Sequence, residues 1–152
     1  MGFLFLFAGK TKEGFIREGL DRYAKLAGHY VPVEVRELKG TPGTDRADAV
    51  EKEADGILKR LSPSDRVVVL DEHGKNPDSV SFAKKVGSLA ETGGRVVFVA
   101  GGPFGISDRL RERADTLLSL SKMTFTHEMA RLVLLEQVYR AFTIIKGKTY
   151  HY

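Results

Sequence analysis

The stretch VVFVAGGPFG, residues 96–105, decides the fold, because an apolar run ends there directly in a glycine-rich loop. Five consecutive apolar residues are typical of a strand that is covered on both faces, as in a parallel sheet. Gly101, Gly102 and Gly105 leave backbone that a small molecule can approach closely. In open α/β sheets, ligands bind where the carboxyl ends of strands meet the starts of helices. The stretch therefore predicts a ligand loop, with a plain glycine-proline turn as the alternative.

Strand and helix patterns alternate outward from this stretch along the whole chain. Predicted strands cover residues 3–8, 31–35, 66–71, 95–100 and 117–120. Helical spacing predicts helices at residues 16–27, 47–61, 80–91, 108–114 and 127–145, with Thr11, Asp45 and Ser107 as N-caps. Pro32 places the second strand toward an edge of the sheet. The alternation predicts a single α/β domain over residues 1–152, with a mainly parallel sheet and helices on both faces.

The composition excludes several classes of protein. There is no cysteine, which excludes disulfides and thiolate metal sites, and the four histidines are too scattered to predict a metal site. The longest apolar runs are far shorter than a membrane span, and the apolar start of the chain lacks the features of a signal peptide. We therefore expect a cytoplasmic protein that uses no metal and no membrane.

The position of the glycines excludes the common nucleotide-binding folds. A dinucleotide fold places its glycine-rich turn after the first strand, where this chain has only Gly9 and Lys10. Neither Gly9-Lys10 nor Gly74-Lys75 has the spacing of a Walker loop. A Rossmann dehydrogenase, a methyltransferase with a first-turn glycine loop and a P-loop enzyme are therefore not expected.

The last predicted helix is apolar around most of its circumference, with a polar stripe of only Glu136, Arg140 and Thr143. A helix that is apolar on more than one face must be buried on more than one side. The sheet can cover one side, and a second subunit would cover the other. We therefore expect a homodimer, with a central helix inside a monomer as the alternative.

The basic excess of the chain lies near its end. The net charge is +4, and the last 33 residues carry five Lys or Arg against two Asp or Glu. This excess permits an anionic partner such as RNA. Lys146 and Lys148 would also suit the carboxyl end of a helix without any partner.

Five motifs follow one another along the chain: VVVLDEHGK at 67–75, FVAGGPFGIS at 98–107, LSLSKMTFTHEMAR at 118–131, EQVYRAF at 136–142 and YHY at 150–152. Together they resemble the RlmH family of small SPOUT-superfamily methyltransferases. The resemblance implies a SPOUT α/β knot, with a C-terminal trefoil knot that no sequence pattern would predict by itself. It further implies methyl transfer from S-adenosyl-L-methionine to N3 of a pseudouridine in large-subunit (23S-type) rRNA.

The resemblance assigns the cofactor to three loops that follow strands, where the fold is expected to bring them together. Apolar side chains would form the walls of the slot, and main-chain groups would bind the adenine edge. The residues expected to contact S-adenosyl-L-methionine are Leu70, Gly101, Leu120, Ser121, Lys122, Met123, Thr124 and Phe125. Each apolar member of this set would also fit a plain core position.

Methylation of an imide nitrogen needs a proton acceptor or cationic groups that favour the anion. The candidates for the acceptor are His127, Tyr150 and His151, and Arg131 and Arg140 are candidates for holding phosphate or base carbonyls. Each has a simpler alternative: His127 could bond a helix start, Arg140 could pair with Glu136, and the tail could merely pack. The resemblance favours catalysis and places the KTYHY tail in a site completed by the partner subunit.

Two other functions remain open from the sequence. An RNA-binding module without catalysis would keep the basic tail, but it would not need a nucleoside-sized slot built from three loops. A SPOUT methyltransferase that acts on tRNA or on a 2′-hydroxyl would keep the slot. The absence of an added RNA-binding domain within these 152 residues favours a large preformed substrate such as the ribosome.

Overall fold

Strands and helices alternate from the first strand to the last helix in the computed structural model, which describes residues 2–41 and 45–151. The elements are β1 (Gly2–Ala8), α1 (Gly14–Ala27), β2 (Val33–Leu38), α2 (Arg46–Leu58), β3 (Arg66–Lys75), α3 (Ser79–Glu91), β4 (Arg95–Ala100), α4 (Asp108–Arg113), β5 (Thr116–Leu118) and α5 (His127–Ile145). Tyr152, the last residue of the predicted tail, lies outside the described residues.

The five strands form one parallel sheet in the order β2-β1-β4-β3-β5, with β2 at an edge as Pro32 predicts. Alternate residues of β1 face opposite layers. Phe3, Phe5 and Phe7 pack with α1, α3 and α5, and Leu4 and Leu6 pack with α2 and α4. Both faces of the sheet are therefore covered, which explains the continuous apolar runs and confirms the predicted α/β architecture.

Most of the predicted helix starts are confirmed. The side chains of Asp45 and Ser107 accept hydrogen bonds from the backbone N–H groups of Asp48 (2.9 Å) and Arg109 (3.2 Å). The prediction for Thr11 is wrong, because α1 begins at Gly14 and Glu13 occupies the N-cap position. Thr11 is buried instead, and its hydroxyl bonds the carboxylate of Glu37. Tertiary contacts that no local pattern reveals thus determine its role.

Strand β3 extends beyond its predicted end through a four-residue excursion. Leu70 and Lys75 both lie opposite Leu118 of β5, so residues 71–74 leave the ladder and return to it. Gly74 passes so close to β5 that a Cβ there would lie 2.6 Å from the backbone of Leu117. The excursion places residues 71–74 between two clefts that are described below.

Helix α5 has the predicted bounds, and much of its wide apolar surface is covered within one chain. Leu134 and Val138 are both fully buried within one chain. On its flanks, Leu132 packs against Gly19 of α1. The side chain of Ile145 lies beside Gly87 of α3, where a Cβ would be 3.5 Å from its Cδ1 atom. The sheet, α1 and α3 thus cover much of the apolar surface within one chain, as in the central-helix alternative, while Ile145 remains 42% exposed near the end of the helix.

The homodimer itself stays a prediction of the family resemblance, and so does the trefoil knot. Within the described residues, no helix combines the length and apolar character that a membrane crossing requires.

Candidate functional site

A cleft of about 390 Å³ opens at the carboxyl edge of the sheet, where the excursion of β3 meets the loops after β4 and β5. Parallel strands carry these loops to one edge, which is where α/β sheets bind ligands. Its volume falls within the range of about 300–1,000 Å³ found for small-molecule sites. The predicted convergence of the three loops is confirmed.

Seven of the eight residues predicted to contact a cofactor line this cleft, namely Leu70, Gly101, Leu120, Ser121, Met123, Thr124 and Phe125. The eighth, Lys122, does not line it and is exposed to solvent. Met123 is also 78% exposed, although it lines the cleft. An apolar side chain that borders a cleft yet remains open to water is available to cover a ligand.

The glycine loop after β4 folds tightly on itself. A Cβ on Gly101 would lie 2.7 Å from Cγ2 of Ile106 and 2.8 Å from the backbone oxygen of Gly105. Gly105 itself has a φ of +90°, which strongly favours glycine. The sequence predicts that Gly101 leaves room for a ligand, whereas the structure shows that it leaves room for the return of its own loop.

Glu53 of α2 supports this loop from behind, a contact that sequence analysis missed. A Cβ on the neighbouring Gly102 would lie 2.7 Å from Oε2 of Glu53. Burial raises the pKa of Glu53, while the backbone N–H of Gly102 and the charge of Arg131 oppose that rise. No sequence signal connects these residues, because 49 positions separate Glu53 from Gly102.

The loop after β5 is held by its own serines. The hydroxyl of Ser119 donates to the carbonyl of Ser121 (3.0 Å), and the hydroxyl of Ser121 accepts from the backbone N–H of Met123 (2.9 Å). The amide of Asn76 donates to the carbonyl of Ser119 at 2.8 Å. These bonds give the loop a defined shape before any ligand is bound.

His127 occupies the first position of α5 and lines the cleft. Burial lowers the pKa of His127, and the positive charges of Arg131 and Lys12 lower it further, while Glu128 opposes them. A lowered pKa keeps the imidazole neutral at neutral pH, so that a ring nitrogen can accept a proton. The helix-start alternative is not needed, because the side chain of Thr126 caps α5 at the N–H of Met129.

An ion pair closes one side of the cleft. Nε of Arg111 lies 3.0 Å from Oδ2 of Asp71, whose side chain is buried. Beyond it, the exposed side chains of Glu72 and His73 lie 3.3 Å apart. Within residues 2–41 and 45–151, no group of three or more His, Asp or Glu side chains could hold a metal ion.

Arg131 lies outside the cleft, contrary to its predicted place beside the substrate. It is 0% exposed, and its guanidinium donates to Oγ1 of Thr11 (2.9 Å) and to the carbonyl of Ala8 (2.7 Å). It also lies 5.0 Å from the centre of the Phe7 ring. These contacts join α5 to the end of β1 and account for Arg131 without a substrate.

The other predicted catalytic residues gather at the far end of α5. Arg140 pairs with Glu136 at 3.0 Å, bonds Nδ1 of His151 at 3.0 Å and lies over the Tyr150 ring at 4.8 Å. The Tyr150 hydroxyl donates to Glu136 at 2.7 Å. Both alternatives to catalysis are therefore realised in this chain, since Arg140 forms its ion pair and the tail packs on α5.

Burial raises the pKa of Tyr150, and its hydrogen bond to Glu136 raises it further. The phenol therefore stays protonated at neutral pH and acts as a donor. Arg140 lies thirteen residues after His127 on the same helix, which corresponds to about 20 Å along the helix axis. Within one chain, the cleft and the tail cluster, defined as Glu136, Arg140, Tyr150 and His151, are two separate sites.

Comparison with known proteins places the whole chain in one family. Residues 1–151 match the family described as "Predicted SPOUT methyltransferase". The chain is 46% identical over 147 residues to the ribosomal RNA large subunit methyltransferase H of Desulfotalea psychrophila, with 96% of each chain covered. It is 43% identical over 145 residues to the protein of that name from Pseudothermotoga lettingae, with 95% of each chain covered.

Two solved structures share the fold at low sequence identity. The SpoU methyltransferase AviRb from Streptomyces viridochromogenes superposes with a TM-score of 0.51 at 18% identity, covering 97% of this chain and 61% of that protein. The tRNA (m1G37) methyltransferase from Aquifex aeolicus gives a TM-score of 0.50 at 16% identity, covering 92% of this chain and 70% of that protein. At these identities the likeness concerns the fold.

Proposed function

Since this chain belongs to the SPOUT methyltransferase family, we propose that it methylates N3 of a pseudouridine in large-subunit rRNA, using S-adenosyl-L-methionine. The cleft formed by the three strand-end loops is the observation that carries this proposal. The names of the relatives support the choice of large-subunit rRNA over tRNA. The enzyme would act in the cytoplasm as a homodimer, on the assembled ribosome.

The residues of the cleft fit the proposed cofactor. Leu70, Leu120, Met123 and Phe125 provide apolar surface in its lining. The backbone of Gly101, Leu120 and Met123 would bond the adenine edge. When bound, S-adenosyl-L-methionine supplies a methyl group on an electrophilic sulfonium, so the protein mainly has to align the nucleophile and remove its proton.

His127 is the residue that we assign to proton removal. It is the only one of the five predicted catalytic residues, among those described, that lines the cleft. Its lowered pKa leaves a ring nitrogen free to accept the imide proton of the base at neutral pH. Lys122, which is exposed beside the cleft, would contact the RNA rather than the cofactor.

The tail cluster would serve the substrate in the cleft of the partner subunit. Arg140 and the protonated Tyr150 are donors that suit base carbonyls or phosphate, and aromatic rings can stack on an exposed base. The axial separation of about 20 Å from His127 favours this assignment, because one chain does not bring both groups to one cleft.

Deletion of residues 150–152 tests the proposal. We expect transfer of labelled methyl groups to ribosomes lacking the modification to fall by at least about 100-fold, because positioning groups are lost. Affinity for S-adenosyl-L-methionine, measured by calorimetry, should stay within about twofold. Thr149→Ala, which removes an exposed hydroxyl beside the deleted segment, is the matched control. Normal transfer to ribosomes by the truncated protein would contradict the role of the tail, and preferential transfer to tRNA would contradict the proposed substrate.

A further inference from the structure

A second cleft, of about 560 Å³, lies at the β5 edge of the sheet beside α3. Its floor is apolar and includes Val68, Phe82, Leu89 and Leu117. Its rim is basic and carries His73, Lys75, Lys85 and Arg111. A cavity with an apolar floor and a cationic rim matches the two parts of a nucleotide, an aromatic base and a phosphate.

Two of the four rim residues, Lys75 and Lys85, carry positive charge that no neighbour among the described residues neutralises, whereas Arg111 pairs with Asp71 and Asp108 and His73 lies beside Glu72. Asp115 is the one acidic residue among the described residues that line the cleft. Its carboxylate accepts a hydrogen bond from the backbone N–H of Val67 at 2.8 Å and lies 3.6 Å from Arg113. Lys75 and Lys85 are exposed and form no ion pair within the described part of the chain.

The second cleft adjoins the first. Arg111 and Leu118 line both clefts, and the 71–74 excursion of β3 divides them. Asp71 and Glu72 border the first cleft, and His73 and Gly74 border the second. An RNA strand that places one base at the first cleft would therefore pass close to the second.

We propose that the second cleft binds an unpaired nucleotide of the substrate RNA near the methylated one. Its base would lie on the apolar floor, and its phosphate would contact Lys75 and Lys85. Single-stranded RNA is bound elsewhere by this combination of stacking surface and cationic groove. The inference rests on the proposed function, because it takes the substrate to be RNA.

Charge reversal at two positions tests the inference. Lys75→Glu with Lys85→Glu should raise the KM for ribosomes at least about tenfold. The slope of log affinity against log salt should become about 1.4 units shallower, because two phosphate contacts to a single strand are lost. Calorimetric affinity for S-adenosyl-L-methionine and kcat at saturating ribosomes should not change.

Lys59→Glu with Lys84→Glu is the charge-matched control, because both lysines are exposed and neither lines the cleft, although Lys84 directly precedes Lys85 on α3. We expect its KM to stay within about twofold of that of the unaltered protein. An equal increase in KM for this control variant would overturn the proposal, because the effect would then come from overall charge. An unchanged KM for the double variant would overturn it as well.

A direct binding measurement separates this inference from the proposed function. The probe is a short single-stranded oligoribonucleotide with a fluorescent label, titrated with the unaltered protein and with both charge variants. If only the Lys75→Glu, Lys85→Glu variant bound the probe more weakly, nucleotide binding in the second cleft would be supported even if no methyl transfer were detected. Equal binding by all three proteins would overturn it, whatever the outcome of the methyl-transfer assay.

Discussion

At the scale of single residues, the glycine loop makes a sharp distinction between two neighbouring positions. A Cβ on Gly101 would collide with backbone at Gly105, whereas a Cβ on Gly102 would meet only the flexible end of Glu53. We expect Gly101→Ala to weaken S-adenosyl-L-methionine binding at least about tenfold, which is about 1.4 kcal/mol, and Gly102→Ala to weaken it much less. Calorimetry on both variants, with melting temperature as a control for folding, measures the difference. If both variants weakened S-adenosyl-L-methionine binding equally, the close approach of Gly105 to Gly101 would not explain the effect.

His127 predicts a pH dependence. Because burial and nearby cations lower its pKa below 6.5, the neutral form prevails at neutral pH and is lost only as the pH falls through the lowered value. The rate of methyl transfer should therefore be flat near pH 7 and decline on the acid side, below pH 6.5. His127→Gln should slow transfer by about 100-fold or more and abolish the acid limb. An unchanged limb in this variant would assign the titration to another group.

The residue types at the site follow from the sequence, but their separate roles depend on tertiary contacts. Arg131 and Arg140 carry the same chemistry on the same helix, yet one is buried against β1 and the other meets the tail. The difference arises from Thr11 and Ala8, which lie more than 100 positions before Arg131. Long-range partners of this kind leave no local pattern, and the support of Gly102 by Glu53 was missed for the same reason.

At the scale of elements, Arg131 is the tie between α5 and the end of β1. Its guanidinium is buried, bonds two groups at the end of β1 and lies 3.8 Å from the carboxylate of Glu37. Arg131→Met should reduce the free energy of unfolding by about 3–5 kcal/mol. It removes the buried guanidinium to which the hydroxyl of Thr11 and the carbonyl of Ala8 bond. Urea denaturation provides the measurement. If the variant kept normal stability but lost methyl transfer, the role of Arg131 would be to contact the substrate and not to stabilise the fold.

The same helix shows which element properties a sequence can predict. The bounds of α5 were predicted correctly, because helical spacing of apolar residues is a strong signal and Thr126 supplies a cap. The identity of the surface that covers it was not predictable from that spacing. A central helix flanked by α1 and α3 and a helix at a subunit interface have the same apolar circumference. Only the arrangement of the other elements distinguishes them.

At the scale of the whole molecule, the two groups of proposed catalytic residues lie at opposite ends of α5, about 20 Å apart along its axis. A helix of this kind is rigid, so local motion does not bring Arg140 to the cleft beside His127. The proposed homodimer, in which each tail reaches the cleft of the other chain, would resolve the separation. In this arrangement the proposed activity would require both chains.

Complementation between two inactive variants tests that arrangement. His127→Gln removes the proposed proton acceptor, and deletion of residues 150–152 removes the tail. Coexpressed with different tags and purified as the mixed dimer, they should form one intact site, made of His127 from the truncated chain and the tail of the other. We expect about half of the normal rate of methyl transfer to ribosomes, because one of two sites is restored, while each variant alone stays inactive. If tail and cleft act within one chain, both sites of the mixed dimer remain defective and no activity returns.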